Sequence, residues 1–188
     1  MTEYDSKEEL YFTWWLEELK INSYIEGWKY HPKPFPLSDK VYIHWQKQLK
    51  TKTKKMIKTM LQEHTYQADF LIKWTPKAKG IFFASRLNQN IMAYPFVAER
   101  IEETDYHRTI VDVKGTFNQN DAWRRFSVDQ KWVWQKYNIY VQKIIPIKLF
   151  KNTFTPIRYL QTDKSNKARK LNYKPISLFD YINLNEEL

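Results

Sequence analysis

Apolar positions recur with a helical period behind Ser6, where Phe12, Trp15, Leu16 and Leu19 share one face. Ser6 followed three residues later by Glu9 forms a capping box, so the pattern predicts a helix over residues 7 to 20. Residues 21 to 45 mix aromatics with Pro32, Pro34 and Pro36. Proline at every second position reads as extended chain or loop, leading into a short strand near Val41 to Trp45. Thr65 to Trp74 alternates, with Tyr66, Ala68, Phe70, Ile72 and Trp74 on one face and Gln67, Asp69, Leu71 and Lys73 on the other, and predicts a strand. Thr75 to Gly80 reads as a turn before a returning strand at Ile81 to Ala84, and the β-branched Thr109 to Gly115 as a further strand. Asn118 to Asp121 offers N-caps to a helix ending near Tyr137, with Trp123, Phe126, Val133, Trp134 and Tyr137 as its apolar stripe. A strand at Ile139 to Ile145, stopped by Pro146, and a short helix near Ser177 to Leu184 complete the reading. This order predicts an α/β fold in which helix-linked strands lie parallel.

A chain of 188 residues fits one domain. Its core is expected over 1–160, with insertions near 22–60 and 85–107, followed by a basic extension at 161–188. Residues 161 to 175 lack a hydrophobic period and carry Lys164, Lys167, Arg169, Lys170 and Lys174, which reads as a mobile basic segment. Hydrophobic residues make up 43 %, with eight Trp and thirteen Tyr, enough for a core and too many for a disordered chain. Three glycines and neither glycine-rich phosphate motif disfavour nucleotide-binding loops. The absence of cysteine excludes disulfides, zinc ribbons and thiol nucleophiles. Glu3, Asp5, Glu8 and Glu9 are incompatible with a signal peptide, and no apolar run approaches the roughly 20 residues of a membrane span. No membrane partner is therefore expected.

A net charge of +10 turns attention to polyanionic partners, DNA first. Lys47, Lys50, Lys52, Lys54, Lys55 and Lys58 follow one another without an intervening acid, in a polar alternation suited to an exposed strand or ribbon. The alternative is a solvated cationic surface.

The chemistry concentrates in Ile110-Val111-Asp112-Val113-Lys114. A period of two puts Ile110, Asp112 and Lys114 on one strand face and the two valines on the other. An acid and a lysine so placed in an apolar strand are either a same-face ion pair or a site. Asp69 is a similar exception in its own strand. Two strand carboxylates suit magnesium, which takes hard oxygen ligands and often only one or two from protein. The four histidines, His31, His44, His64 and His107, are scattered without metal-ligand spacing. Trp14, Trp15, Trp132 and Trp134 read mostly as core at helical spacing.

Tyr66-Gln67-Ala68-Asp69-Phe70 followed by Val111-Asp112-Val113-Lys114-Gly115 resembles the PD-(D/E)XK nuclease superfamily over residues 6 to 145. Ser6-Lys7-Glu8-Glu9 and Arg125 to Lys131 most resemble its small phage and Holliday-junction-resolvase-like members. The resemblance implies a restriction-endonuclease-like core of helix, motif hairpin, helix and strand, and a DNA nuclease using Mg2+, with Mn2+ able to substitute. It implies that Asp69 and Asp112 ligate the metal and that Lys114 assists the attacking water. Glu9 matches the helix-one glutamate of many members, while local capping accounts for it equally; Glu8 is the weaker substitute. Gln130 and Lys131 match positions on the second helix that often reach the site, and a buried, satisfied glutamine is the alternative for Gln130. DNA contacts are expected from Lys50, Lys52, Lys54 and Lys55, from Arg124 and Arg125, and from Lys167, Arg169 and Lys170.

Ala68 stands where the motif name has proline, and Asp112 where glutamate is commoner. The long stretch between Asp69 and Asp112 is either a substrate-selecting element or a sign that the two strands do not pair. A non-catalytic DNA-binding protein retaining the fold is the rival reading. A cytoplasmic setting, that of the host for a phage-encoded chain, is expected, and a dimer is left open.

Overall fold

Ser6 starts the first helix as expected, because its hydroxyl accepts from the Glu9 backbone N–H at 3.1 Å. The computed structural model describes residues 4–85, 94–117, 121–162 and 167–186. Helix α1 (Lys7–Ile21) buries Phe12, Trp14, Trp15, Leu16 and Leu19 and ends at Asn22, whose side chain donates to the Glu18 carbonyl at 2.8 Å.

Among the described residues ten strands follow: β1 (Ile25–Tyr30), β2 (Phe35–Ser38), β3 (Val41–Gln48), β4 (Thr53–Leu61), β5 (His64–Tyr66), β6 (Phe70–Trp74), β7 (Phe83–Ser85), β8 (Phe96–Arg100), β9 (His107–Val113) and, after α2 (Ala122–Tyr137), β10 (Val141–Ile144). Helices α3 (Pro146–Asn152) and α4 (Leu178–Glu186) complete the chain. The protein is a mixed α/β structure.

Six strands make the central sheet, in the order β1-β6-β9-β8-β7 with β10 also on β9. β6 runs antiparallel to both β1 and β9. β8 and β10 share one edge of β9: β8 pairs antiparallel at His107 and Arg108, and β10 parallel from Ile110 to Val113. Gln142 of β10 spans the junction, accepting from the Val97 N–H at 3.0 Å and donating to the Pro95 carbonyl at 2.6 Å. The β9-α2-β10 unit thus meets the expectation that helix-linked strands lie parallel.

The strand period divides β9 between two cores. Val111 and Val113 join Phe12, Trp15, Phe70, Ile72 and Trp74 under α1, a layer that α3 and α4 close with Leu149, Phe150, Leu178 and Tyr181. Ile110 joins Tyr66, Ala68, Phe126, Val133 and Val141 under α2. Trp15 centres the first core, stacked on Phe154 at 5.3 Å and Phe12 at 5.9 Å. Among the described residues no helix is long and apolar enough to cross a membrane.

Several expectations need correction. The single strand Thr65 to Trp74 is two, because β5 leaves the main sheet to pair with β2, and the chain turns at Gln67 to Asp69 before entering β6. Residues 21 to 45 hold β1, an edge of the central sheet. The returning strand lies at β7 and pairs in parallel with β8, not with β6. The 85–107 stretch holds β8; residues 86–93 lie outside the described residues.

Asp121 precedes α2 in the left-handed region (φ 55°) without a side-chain cap, and Asn118 to Asn120 lie outside the described residues. Trp134 is exposed, not part of the stripe, and Trp132 packs in its place beside the α2 core. Pro146 ends a strand but also begins α3 as its first residue, where a missing N–H costs nothing. Leu171, Tyr173 and Ile176 pack on the first core, so this part of the basic segment is not the mobile tail expected; Lys164 lies outside the described residues.

Trp15→Ala should destabilise the protein by about 3–5 kcal/mol, the range for emptying a large buried aromatic site. Urea unfolding followed by far-UV circular dichroism measures this, and a loss below about 1 kcal/mol would contradict the core described.

Candidate active site

The antiparallel register of β6 and β9 pairs Phe70 with Val111, and one step further brings Asp69 beside Asp112. The two strands are direct neighbours despite the long stretch between them, which is looped out through β7 and β8. The Asp69 backbone extends the ladder, its N–H donating to the Val111 carbonyl at 3.1 Å. Its Oδ2 turns back to accept from the Val113 N–H at 2.6 Å. Asp69 sits in the bend leading into β6 and is half-buried, whereas Asp112 is 3 % exposed.

Asp112 has two partners. Its Oδ2 accepts from the Tyr66 hydroxyl at 2.6 Å, and its Oδ1 faces the Lys114 ammonium in an ion pair. Lys114 leaves β9 on the same face as Asp112, as the strand period predicts, and its ammonium lies 5.8 Å from the centre of the Phe126 ring.

The electrostatics follow from this crowding. Burial pushes the Asp69 carboxyl up to about 7, the negative Asp112 adds to the rise, and the Val113 N–H and Lys114 only partly offset it. Asp112 is also raised, chiefly by burial, against the opposing pull of Lys114 and Tyr66. The Tyr66 hydroxyl is held far above its ordinary value by burial and by Asp112, so it acts as a donor.

Glu9 is buried nearby and adds to the negative field at Asp69. Its oxygens, however, are engaged by the Ser6 hydroxyl at 2.8 Å, the Tyr30 hydroxyl at 2.6 Å and the Asp5 N–H at 3.1 Å. The capping role accounts for its position. Glu8, the weaker candidate in the sequence, instead lines a cleft of about 320 Å³ with Lys114, Gly115, Phe117 and Trp123.

Other predicted residues fall elsewhere. Gln130 donates to the Val141 carbonyl at 2.6 Å and ties α2 to β10, the structural alternative weighed for it. Lys131 is exposed on α2. Arg124 and Arg125 lie on the outer face of α2, lining a groove with His64 and Trp132. Lys50, Lys52, Lys54 and Lys55 are exposed on or beside the β3–β4 ribbon, and Lys167 and Lys170 are exposed near the C-terminus. Arg169 is engaged within the chain: its guanidinium lies 4.3 Å over the Tyr159 ring and donates to the Tyr159 and Gln161 carbonyls.

Two residues were missed as site members. Tyr66 was read only as an apolar strand position. Asp129 Oδ1 accepts from His64 Nε2 at 2.6 Å, and its charge reaches Tyr66 and Asp112. Its signal was helical spacing: Asp129 lies three residues after the buried Phe126 and four before Val133.

The donor set fits a hard divalent cation. Two adjacent carboxylates share one ammonium, which leaves a charge deficit that a cation would relieve. Among the described residues no group of three or more His, Cys, Asp or Glu is gathered to hold a metal. Comparison with protein-family models, curated proteins and solved structures found no match to this chain.

The raised carboxyls imply a pH dependence of stability. Folding favours protonated Asp69, so its contribution is complete below the unfolded pKa of about 3.9 and is lost as pH rises through about 7. In chelator, the melting temperature of the native protein should fall between pH 5 and pH 8. Asp69→Asn should flatten that fall and melt higher than the native protein at pH 8; an equal deficit for the variant at both pH values would refute the assigned repulsion.

Proposed function

We propose that this chain is a magnesium-dependent DNA nuclease with a restriction-endonuclease-like core of the PD-(D/E)XK kind. The observation that carries the reading is the meeting of Asp69 and Asp112 across neighbouring antiparallel strands, with Lys114 on the same face. The order of α1, the β6–β9 motif pair, α2 and the parallel β10 agrees with the core that the motif implies.

Asp69 and Asp112 would hold the cation; Mn2+ offers the same oxygen-ligand chemistry. When bound, it supplies Lewis acidity to the scissile phosphate and lowers the pKa of water. Lys114 donates hydrogen bonds toward the attacking water and the phosphate oxygens, offsetting negative charge as it builds in the transition state. Tyr66 fixes Asp112 through Oδ2 and leaves Oδ1 toward Lys114. The Val113 N–H fixes Asp69 through Oδ2 in the same way. The exposed lysines and arginines supply phosphate contacts that give affinity without reading bases.

One observation favours a second reading. Lys114 already pairs with Asp112, an arrangement that a non-catalytic DNA-binding protein would also keep. Cleavage assays with Mg2+ or Mn2+ on linear, nicked, branched and single-stranded DNA separate the two. Asp112→Asn and Lys114→Ala should each slow cleavage by about 10²- to 10⁴-fold or more while DNA binding persists. A native protein that binds DNA and cuts none of these substrates would establish the non-catalytic reading instead.

A further inference from the structure

The β3–β4 ribbon is the part of the molecule that the site leaves unexplained. Its strands pair only with each other, outside the central sheet. Every residue of β3 is exposed, as is most of β4. Val41, Tyr42, Ile43, Trp45, Ile57, Met60 and Leu61 are all large apolar side chains left in solvent. Phosphate binding by lysine alone does not account for them, and an isolated two-stranded ribbon is marginal in water.

The register sorts the side chains. Trp45 lies opposite Met56, Ile43 opposite Lys58 and Lys47 opposite Lys54, so these six share one face. Gln46 opposite Lys55 and Gln48 opposite Thr53 lie on the other. The outer end carries Lys50 and Lys52 at the turn. Between Val41 and Leu61 there are six lysines and no acid.

We propose that this ribbon is an arm that docks in the major groove of duplex DNA, outside the catalytic cleft. The proposal rests on the nucleic-acid reading above and adds to it a groove-seated element. An eight-residue strand extends about 27 Å, and two strands lie about 4.8 Å apart, which suits a groove about 12 Å wide. Lys47, Lys50, Lys52, Lys54 and Lys58 then lie toward the phosphates. Ile43, Trp45 and Met56 contribute apolar contact that a polyphosphate backbone alone would not use. Charge decides between occupants: a second copy would bring another uncompensated set of six lysines against the first, whereas duplex DNA neutralises them.

The test uses the full chain in chelator, so that binding is read independently of cleavage. In one variant an Asn-Gly turn replaces residues 43–58, joining Tyr42 to Thr59, which already face each other. Two others keep the ribbon: Lys47→Ala with Lys54→Ala and Lys58→Ala, and Ile43→Ala with Trp45→Ala. Fluorescence anisotropy measures affinity for a 20-base-pair duplex, the matching single strand and anionic phosphatidylserine vesicles over a salt series. Dimethyl sulfate protection of guanine N7 reports major-groove occupancy.

The shortened variant should bind duplex about 100-fold more weakly, with a salt slope shallower by up to about 5 and N7 protection lost. The triple-lysine variant should lower the slope by about 3, and the apolar pair should weaken duplex binding without changing it. Unchanged duplex affinity, affinity lost only for vesicles, native binding without N7 protection, or a ribbon-dependent dimer with unaltered duplex binding would each overturn the proposal. Ribbon-dependent duplex binding by a native protein that never cuts DNA would support the arm and refute the active site.

Discussion

The burial of Asp69 beside Asp112 is the constraint around which the centre of this molecule is arranged. The β6–β9 register brings the two carboxylates together at one end of the strand pair. Burial disfavours the charge on both, and the negative Asp112 further opposes ionisation of Asp69. Three compensating groups lie within reach: the Val113 N–H on Asp69, and the Tyr66 hydroxyl and Lys114 ammonium on Asp112. A well-packed apolar pair would avoid the cost, so retaining two acids here is a reason to look for chemistry.

The surrounding fold makes that strained arrangement possible. α1 and its aromatic layer hold the Val111 and Val113 face, while α2 holds the opposite face through Ile110, Phe126 and Val133. β10 pairs with β9 from Ile110 to Val113, with Lys143 opposite Asp112 in the ladder. The Lys143 ammonium lies over the Trp123 ring, 4.2 Å from its centre, leaving Lys114 as the ammonium paired with Asp112. The site is therefore built on strands, with its ion pair supported by the α2 layer.

Much of this was legible in the sequence where a short-range rule governs. Ser6 and Glu9 announced α1, the two-residue period of β9 placed Asp112 and Lys114 on one face, and the basic alternation beyond Lys47 announced the ribbon. Long-range pairing was less legible. The alternation through Tyr66, Ala68 and Phe70 hid the departure of β5 toward β2, because both segments are extended. Glu9 illustrates a different ambiguity: inward spacing suits a ligand or a cap, and only its contacts with Ser6, Asp5 and Tyr30 distinguish the two. Asp129 shows its inward place by helical spacing, but its partner His64 lies far away in sequence and is brought to it only by packing.

Calorimetric titration of Mn2+ into metal-free protein tests the proposal that the Asp69–Asp112 pair is a cation site. At pH 6.5, in buffers of differing ionisation heat, binding should release protons, because Asp69 is pushed up to about 7 and must ionise to serve as a ligand. Asp112→Asn should abolish saturable binding. Absence of binding to the native protein, or the same stoichiometry and proton release from Asp112→Asn, would contradict the account.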